Sequence, residues 1–527
     1  VVPLEPASMP GRVVVQWDKE DCADLGIIKV DLLGLGMMAV LEESLDLIEM
    51  HHGERVDLGN LPQNDKKVYA ALQKADTIGL FQVESRAQQA SLPRMRPENF
   101  YDLVVQVAII RPGPIVGKMA SPYLKRRQGR EKPDPLHPSL EPVLKRTLGV
   151  PLFQEQLLRV AMIVADFTGG EAEELRRAFG FKRSEKRMRE IEVKLRAGMT
   201  RKGIVGETQE KIVGSITSFA MYGFPESHAA SFALIAYASA YLKTHYLGPF
   251  TCAMLNNQPM GFYHPATLVK DAQRHGLRVL PVDINRSRAK CILEDGKLRL
   301  GFNYVRGLSG STAQAIENAQ PFRDVEDLAR RVPQLQKDEM TQLASIGAFN
   351  SIGAAHRRDG LWQASHASRP TSDLLRELPE ASRESPLAAM NIDERLAADC
   401  EGMGLTIGRH PMARLREEMD RQGVTAASRL SAIPNGRWVR VAGNVIVRQR
   451  PGTAKGILFM SIEDETGISN VVVMPDFFDA ERLAILSHPW VVIEGPIQNV
   501  DNVVHVMARG IEGLAAPTSG TASHDFH

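Results

Sequence analysis

The chain has 527 residues, 43% of them hydrophobic and 24% charged, enough apolar content for roughly three or four folded domains and too much for a chain whose main state is disorder. With 64 Lys+Arg against 63 Asp+Glu the net charge is +1, which excludes a uniformly basic polyanion binder but leaves room for local basic faces. Four cysteines (Cys22, Cys252, Cys291, Cys400), none at zinc-knuckle spacing, predict a reducing, cytoplasmic setting; no uncharged apolar run reaches the length of about 18 residues needed to span a bilayer, and the N-terminal residues lack a signal-peptide layout.

Taken in chain order, VVVQW (13–17) and IIKVDLL (27–33) read as short β-branched strands, and the spacing turns helical from Gly36 to Met50. Residues 64–250 read as mainly α-helical, punctuated at Pro93, Pro97, the RPGP at 111–114, Pro133 to Pro138, Gly169-Gly170 and Pro225. Short strands alternate over 276–305, and small helices follow to about 366. Residues 367–400 read as an exposed connector, with seven acidic and three basic residues between Thr371 and Cys400. The block 438–512 carries five strand-like segments with a helical piece, FFDAERLAIL, between the third and fourth. That pattern predicts a small OB-type β-barrel, followed by a disordered tail.

Several residues carry candidate chemistry. Asp31 places a carboxylate in an apolar strand, with Lys29 on the same face. It reads either as half of a structural ion pair or as a ligand to Mg²⁺, but the chain has no Asp-x-Asp pair to complete a two-metal site. Residues 118–132 hold six basic side chains and one acidic, and 176–202 hold eleven against three. Such density suits phosphates, although solvated helix faces carry the same pattern. Ser227 and His228 open an Ala-, Ser- and Tyr-rich helix after a Gly-Phe-Pro turn; His228 reads as a phosphate contact or as a core histidine. VRGLSGSTAQAI (305–316) and LASIGAFNSIG (343–353) read as helix-hairpin-helix turns, in which Gly307, Gly310 and Gly347 would offer backbone N–H groups to DNA phosphates. Arg440, Arg448, Arg450 and Lys455 are the basic candidates on the expected barrel.

GIIKVDLLGLGMM, TIGLFQVES, IIRPGPI, PYLKRRQGRE, GVPLFQEQLLRVA, DFTGGEAEELRRAFGFK, FAMYGFPESHAASFALIAYASAYLKTHY, VLPVDIN and MGLTIGRHPM occur in this order. Together they resemble the C-family bacterial DNA polymerases of the DNA polymerase III alpha type, from about residue 10 to about 510. The wording YGFPESHA, where replicative members tend to carry Asn-Lys in place of Pro-Glu, resembles the error-prone, damage-inducible branch. So do a connector without a sliding-clamp peptide and the lack of a domain beyond the barrel.

The resemblance implies an α+β multidomain protein. Its expected parts are a palm remnant (1–36), a large helical fingers domain (37–300), a helix-hairpin-helix region (301–366), a connector (367–437), an OB-fold domain (438–512) and a tail (513–527). It implies template-directed transfer of dNMP to a primer 3′-OH, with Asp31 as a catalytic, Mg²⁺-holding carboxylate beside Lys29. Arg111, Arg176, Arg177, Lys182, Ser227 and His228 would bind nucleotide, and Lys125, Arg126, Arg127, Gly307, Gly310, Gly347, Arg440 and Arg448 would bind DNA. Gln154 and Gln156 fall in the FQEQ motif. The implied partners are primer-template DNA, dNTP, a Y-family-like mutagenesis partner and, through it, indirect contact with a sliding clamp; no membrane is expected. The family's PHP domain, thumb and Asp-x-Asp pair are not in this sequence, so the expectation is a piece of the polymerase that is inactive alone. The alternatives are a replicative alpha subunit and a non-catalytic DNA-binding fragment. No 3′–5′ exonuclease carboxylate set is visible.

Overall fold

The computed structural model describes all residues except 1, 8–11, 18, 29–31, 111–115, 181–184, 221–223, 368–384, 452–453, 516–522 and 527. From residue 35 to residue 274 the described elements are helical. Local chemistry explains where these helices begin and end. Leu35–His52 stops at Gly53, whose φ of 69° takes the chain out of the helix. Asp65 caps Lys66–Gln73 by accepting from Lys67 N and Val68 N, Ser85 caps Arg86–Met95, and Asn99 caps Phe100–Ile109. Each such cap contributes about 1 kcal/mol.

The longest helix, Glu226–His245, buries Ala229, Ala233, Ala236 and Ala240. Methyl-sized side chains at this spacing form one face and let the helix approach Phe100–Ile109 closely, whose residues from Asp102 to Ile109 are all buried. These two helices lie in a core that runs from Met37 to Leu405. A second, separate core gathers Leu157, Val160 and Val164 of helix Gln154–Ala165 with Leu175, Leu195, Met199 and Ile212 of the helices that follow.

The first strands, β1 (Leu4–Pro6) and β2 (Val13–Val15), pair antiparallel, and all their residues are exposed. The strand expected at 27–33 is not seen among its described residues. Residues 29–31 lie outside the described residues; of the flanking ones, Ile28 is 86% exposed, Leu32 and Leu33 are exposed too, and Leu32 O accepts from Leu35 N in a turn. The expected exchange of helices for short strands does occur after residue 275: β3 (Val279–Leu280), β4 (Ile292–Glu294) and β5 (Lys297–Arg299) form a sheet in the order β3-β5-β4.

The expected connector is more ordered than its composition suggests. Residues 368–384 lie outside the described residues, but Ile392–Met403 is a helix. Asn391 and Glu394 form a capping box there, Leu396 and Met403 are buried, and Arg357 holds Asp399 at 2.7 Å. A second helix, Met412–Arg421, follows.

Beyond it, β6 (Trp438–Gln449), β7 (Leu458–Glu463), β8 (Ile468–Val473), β9 (Trp490–Val500) and β10 (Val503–Met507) pair in a cycle. β6 pairs with β7, β7 with β8, β8 in parallel with β10, β10 with β9, and β9 again with β6. Alternate residues such as Val439, Val441, Met460, Val471, Ile493 and Val506 fill the interior. β11 (Gly510–Gly513) extends the sheet on β9, and β12 (His524–Phe526) pairs in parallel with β6. Part of the expected disordered tail is therefore a strand, because the edge of β6 offers it free backbone groups.

Gly495 marks the tightest approach in this cycle. A Cβ there would overlap the Met507 carbonyl on the facing strand. Gly495→Ala should therefore destabilise the strand cycle by about 3 kcal/mol, seen as a lower midpoint for the unfolding of β-structure by circular dichroism.

Candidate nucleic-acid interface

Three of the ordered motifs meet at the start of helix Glu226–His245. Gln154 N donates to Phe224 O at 3.1 Å, and Glu226 N donates to Glu155 Oε2 at 3.0 Å. Gln156 is buried, like Phe153 of the same motif: its Oε1 accepts from Leu152 N and Phe153 N, and its Nε2 donates to Val143 O and Thr147 Oγ1. The His228 ring lies between Phe224, 4.9 Å away, and Phe232, 4.2 Å away. Phe232 in turn meets Phe81 edge-on at 5.3 Å, and Phe81 N donates to Ser239 Oγ. Ser227 is exposed beside this aromatic row, and His228 is half-buried within it. The FQVES, FQEQ and PESH segments, far apart in sequence, thus build one surface.

The basic candidates divide by what they already hold. Lys125 is exposed and has no partner among the described residues. Arg126 pairs with Glu131 at 2.9 Å and donates to Leu148 O at 2.8 Å. Arg127 pairs with Asp102 at 2.7 Å and donates to Met95 O. These two are committed to the fold. Arg176 pairs with Glu173 at 2.6 Å. Nothing of the Arg177 side chain is described, and Lys29, Asp31, Arg111 and Lys182 lie outside the described residues. Part of the surplus over 176–202 is neutralised by acids outside that segment, with Lys194 on Glu171 at 2.5 Å and Lys202 on Asp166 at 2.6 Å.

Gly307, at φ 81°, and Gly310 are exposed with open space around them, so the 305–316 turn keeps its backbone accessible. Gly347 differs: it is buried, its N–H donates to Ala344 O, and a Cβ would meet Arg357 Nε at 3.1 Å. The 343–353 turn is a packed helix end with no free donor at Gly347. Arg440 contacts Glu494 at 3.4 Å, Glu512 at 3.8 Å and Gln422 O at 3.2 Å. Arg448 is buried, donating to Ile485 O and His488 O near Asp525. Arg450 lies 4.4 Å from the Phe478 ring centroid, and Lys455 is exposed.

Arg86, which sequence reasoning missed, holds the strand cycle against the helices. Its guanidinium donates to Ser461 Oγ at 3.1 Å and to Asn470 Oδ1, and contacts His505 Nδ1 at 3.3 Å. Burial, then the positive charges of Arg86 and Arg94, push His505 down to about 4, so it is neutral and can accept. No sequence signal marks Arg86, because its partners lie 375 to 419 residues away. Arg86→Ala should raise tryptic cleavage between residues 404 and 437 several-fold while helix and strand content persist; unchanged cleavage would show that the strand cycle is held elsewhere.

Among the described residues, one cluster has metal-ligand composition: Asp76, Asp271 and His275. It does not suit Mg²⁺. The buried ammonium of Lys243 already sits 3.0 Å from Asp76 and 2.8 Å from Asp271. Burial opposes the charge on Lys243, but Asp271 and Asp76 outweigh it and raise its pKa. His275 Nε2 reaches Asp76 Oδ2 at 2.6 Å, and that hydrogen bond raises the His275 pKa above its ordinary 6.5. The stabilisation from protonated His275 is therefore complete below about pH 6.5 and lost as pH rises through the folded value. Facing His275 are Asp76, Asp271 and Lys243. The melting temperature should fall above pH 6.5 more steeply in the wild type than in His275→Gln, followed by differential scanning fluorimetry.

Comparison with known proteins supplies the context. A family described as "Bacterial DNA polymerase III alpha subunit finger domain" matches residues 37–203, and "Helix-hairpin-helix motif" matches 276–359. The chain is 45% identical to the error-prone DNA polymerase of Anaeromyxobacter sp. (strain K), covering 100% of this chain and 48% of that protein. It is 44% identical to error-prone DNA polymerase 2 of Agrobacterium fabrum (strain C58 / ATCC 33970), covering 100% and 50%. With the error-prone DNA polymerase of Corynebacterium glutamicum the figures are 45%, 98% and 48%. The chain spans about half the length of the curated relatives it matches.

Proposed function

We propose that this chain, a relative of the error-prone C-family DNA polymerases over its whole length, supplies the nucleotide-facing and DNA-holding half of a template-directed DNA polymerase. The observation that carries the reading is the convergence of the FQVES, FQEQ and PESH segments on the row Phe81–Phe232–His228–Phe224. Chain segments about 70 residues apart (Glu155 and Glu226 differ by 71) are stitched there by the backbone bond from Gln154 N to Phe224 O and by Glu226 N donating to the Glu155 carboxylate, leaving Ser227 exposed at a helix start that favours negative charge.

In this reading Ser227, His228 and the basic residues Arg111, Arg176, Arg177 and Lys182 face the incoming dNTP. The open turn at Gly307 and Gly310 and the exposed Lys125 contact the DNA backbone. The order of the strand cycle, with a parallel β8–β10 pair and helices between β8 and β9, supports an OB-type barrel for the C-terminal unit. Asp31 is assigned as one of the carboxylates that would hold Mg²⁺, the other carboxylates lying in the part of the relatives that this chain does not span. Bound there, Mg²⁺ would activate the primer hydroxyl and stabilise the leaving pyrophosphate. The Y-family-like partner and the indirect clamp contact belong to the same proposal. The replicative alternative is less favoured, because the relatives at 43–45% identity are named error-prone polymerases.

The test separates binding from chemistry. The 527-residue chain should bind primed DNA, with affinity falling at least about ten-fold between about 50 and 200 mM salt, and Asp31→Asn should leave that affinity unchanged. The same preparation should add no dNMP to the primer. Absence of salt-sensitive binding in a fluorescence anisotropy titration, or incorporation by the chain alone, would overturn the assignment.

A further inference from the structure

We infer that a cleft between the starts of helices Phe100–Ile109 and Glu226–His245 binds an unpaired nucleobase that carries an exocyclic amino group. The cleft has a volume of about 450 Å³ and is lined by Tyr101, Arg146, Glu226, Gln63, Asn64 and Val104, a size suited to a single nucleoside.

Its wall is a planar stack. The Arg146 guanidinium carbon lies 3.6 Å from the centroid of the Tyr101 ring. Tyr101 Oη donates to Glu226 Oε1 at 3.0 Å, and Arg146 Nη1 lies 4.0 Å from the same oxygen. Glu226 therefore fixes both members of the stack. The Arg146 side chain is 68% exposed, so one face of its plane rests on Tyr101 while the side chain remains open to a ligand. A guanidinium plane is a stacking surface for a base.

The charge of the cleft selects among ligands. Arg146 and Glu226 cancel, which favours an uncharged ring over a phosphate. Glu226 Oε2 accepts no hydrogen bond among the described residues, and the side-chain amides of Gln63 and Asn64 have no partner there either. A carboxylate oxygen accepts and cannot donate, so it fits an amino group of cytosine, adenine or guanine. Thymine offers no such group.

This cleft is separate from the row that contains His228. Glu226 and Ala230, four residues apart, share the side of the helix that faces the cleft. His228 is two residues from Glu226, about 200° around the helix, and stacks on Phe224 and Phe232. The inference rests on this geometry and not on the polymerase reading. Its experiment measures binding without incorporation, so either reading can fail alone.

The test is ligand-observed saturation-transfer NMR on the 527-residue chain, with deoxycytidine and thymidine as probes. Deoxycytidine should bind saturably in the millimolar range, and thymidine at least about five-fold more weakly. Arg146→Ala should abolish binding. Arg146→Lys should not restore it, because an ammonium has no plane to stack on. Glu226→Gln keeps the shape of the cleft and should erase the preference for deoxycytidine over thymidine. Displacement of deoxycytidine by oligodeoxycytidine at lower base concentration would identify the base of a strand as the ligand; equal displacement per base would identify the free nucleoside. No saturable deoxycytidine signal, an undiminished signal in folded Arg146→Ala, or an unchanged preference in Glu226→Gln would overturn the inference.

Discussion

A polar seam joins the strand cycle to the helical body, and the relative placement of the two depends on it. Each side has its own apolar core. Among the described residues, the polar contacts that cross between them include Arg274 and Thr267 on the buried Glu463 at 2.8 and 3.2 Å, Arg86 on Ser461, Asn470 and His505, and Arg130 with Arg94 around Asp501. Hydrophobic contact is non-directional, whereas buried hydrogen-bonded charges tolerate only one arrangement. Removing one partner of a buried pair such as Arg274–Glu463 costs about 3–5 kcal/mol, because the remaining charge is left without compensation. Arg86 is an extreme case: its acceptors are all neutral, and its Nε is buried with no partner among the described residues.

Within the helical body, close packing of small residues does comparable work. The alanine face of Glu226–His245 seats that helix against Phe100–Ile109. That contact brings Tyr101 to Glu226 on one side, while Phe81 and Phe232 meet on another. One helix therefore positions both the aromatic row and the nucleobase-sized cleft, on different faces. The Lys243 cluster lies near the far end of the same helix and ties it to Asp76 and Asp271. Its composition resembles a metal site, but the ammonium already supplies the positive charge that the two carboxylates require.

Much of the local structure was legible in the sequence. Gly53, Asp65, Ser85 and Asn99 are helix stop and start signals that act where they stand. The alternation in 438–512 fixed which residues of each strand face inward. The motifs from TIGLFQVES to MGLTIGRHPM resemble a family whose finger-domain description matches residues 37–203. The centre of the strand read at 27–33, residues 29–31, lies outside the described residues. Composition hid the helix Ile392–Met403, whose order comes from a capping box, the burial of Leu396 and Met403, and ion pairs of Asp393, Glu394 and Asp399 with Arg414, Arg358 and Arg357.

The sequence by itself determined strand alternation, motif order, the location of basic density and many helix limits, though not at Pro93, which lies inside Arg86–Met95. Only the tertiary structure decided which of those basic residues remain free. Arg126, Arg127 and Arg448 look equivalent to Lys125 in the sequence, yet each is committed to carboxylates or carbonyls that folding brings beside it. The hairpin glycines divide the same way: Gly307 is open, and Gly347 is packed under Arg357. Conformational preference is a property of neighbours along the chain, whereas availability for a ligand depends on partners such as Asp501, 371 residues from Arg130, and those are set by packing alone.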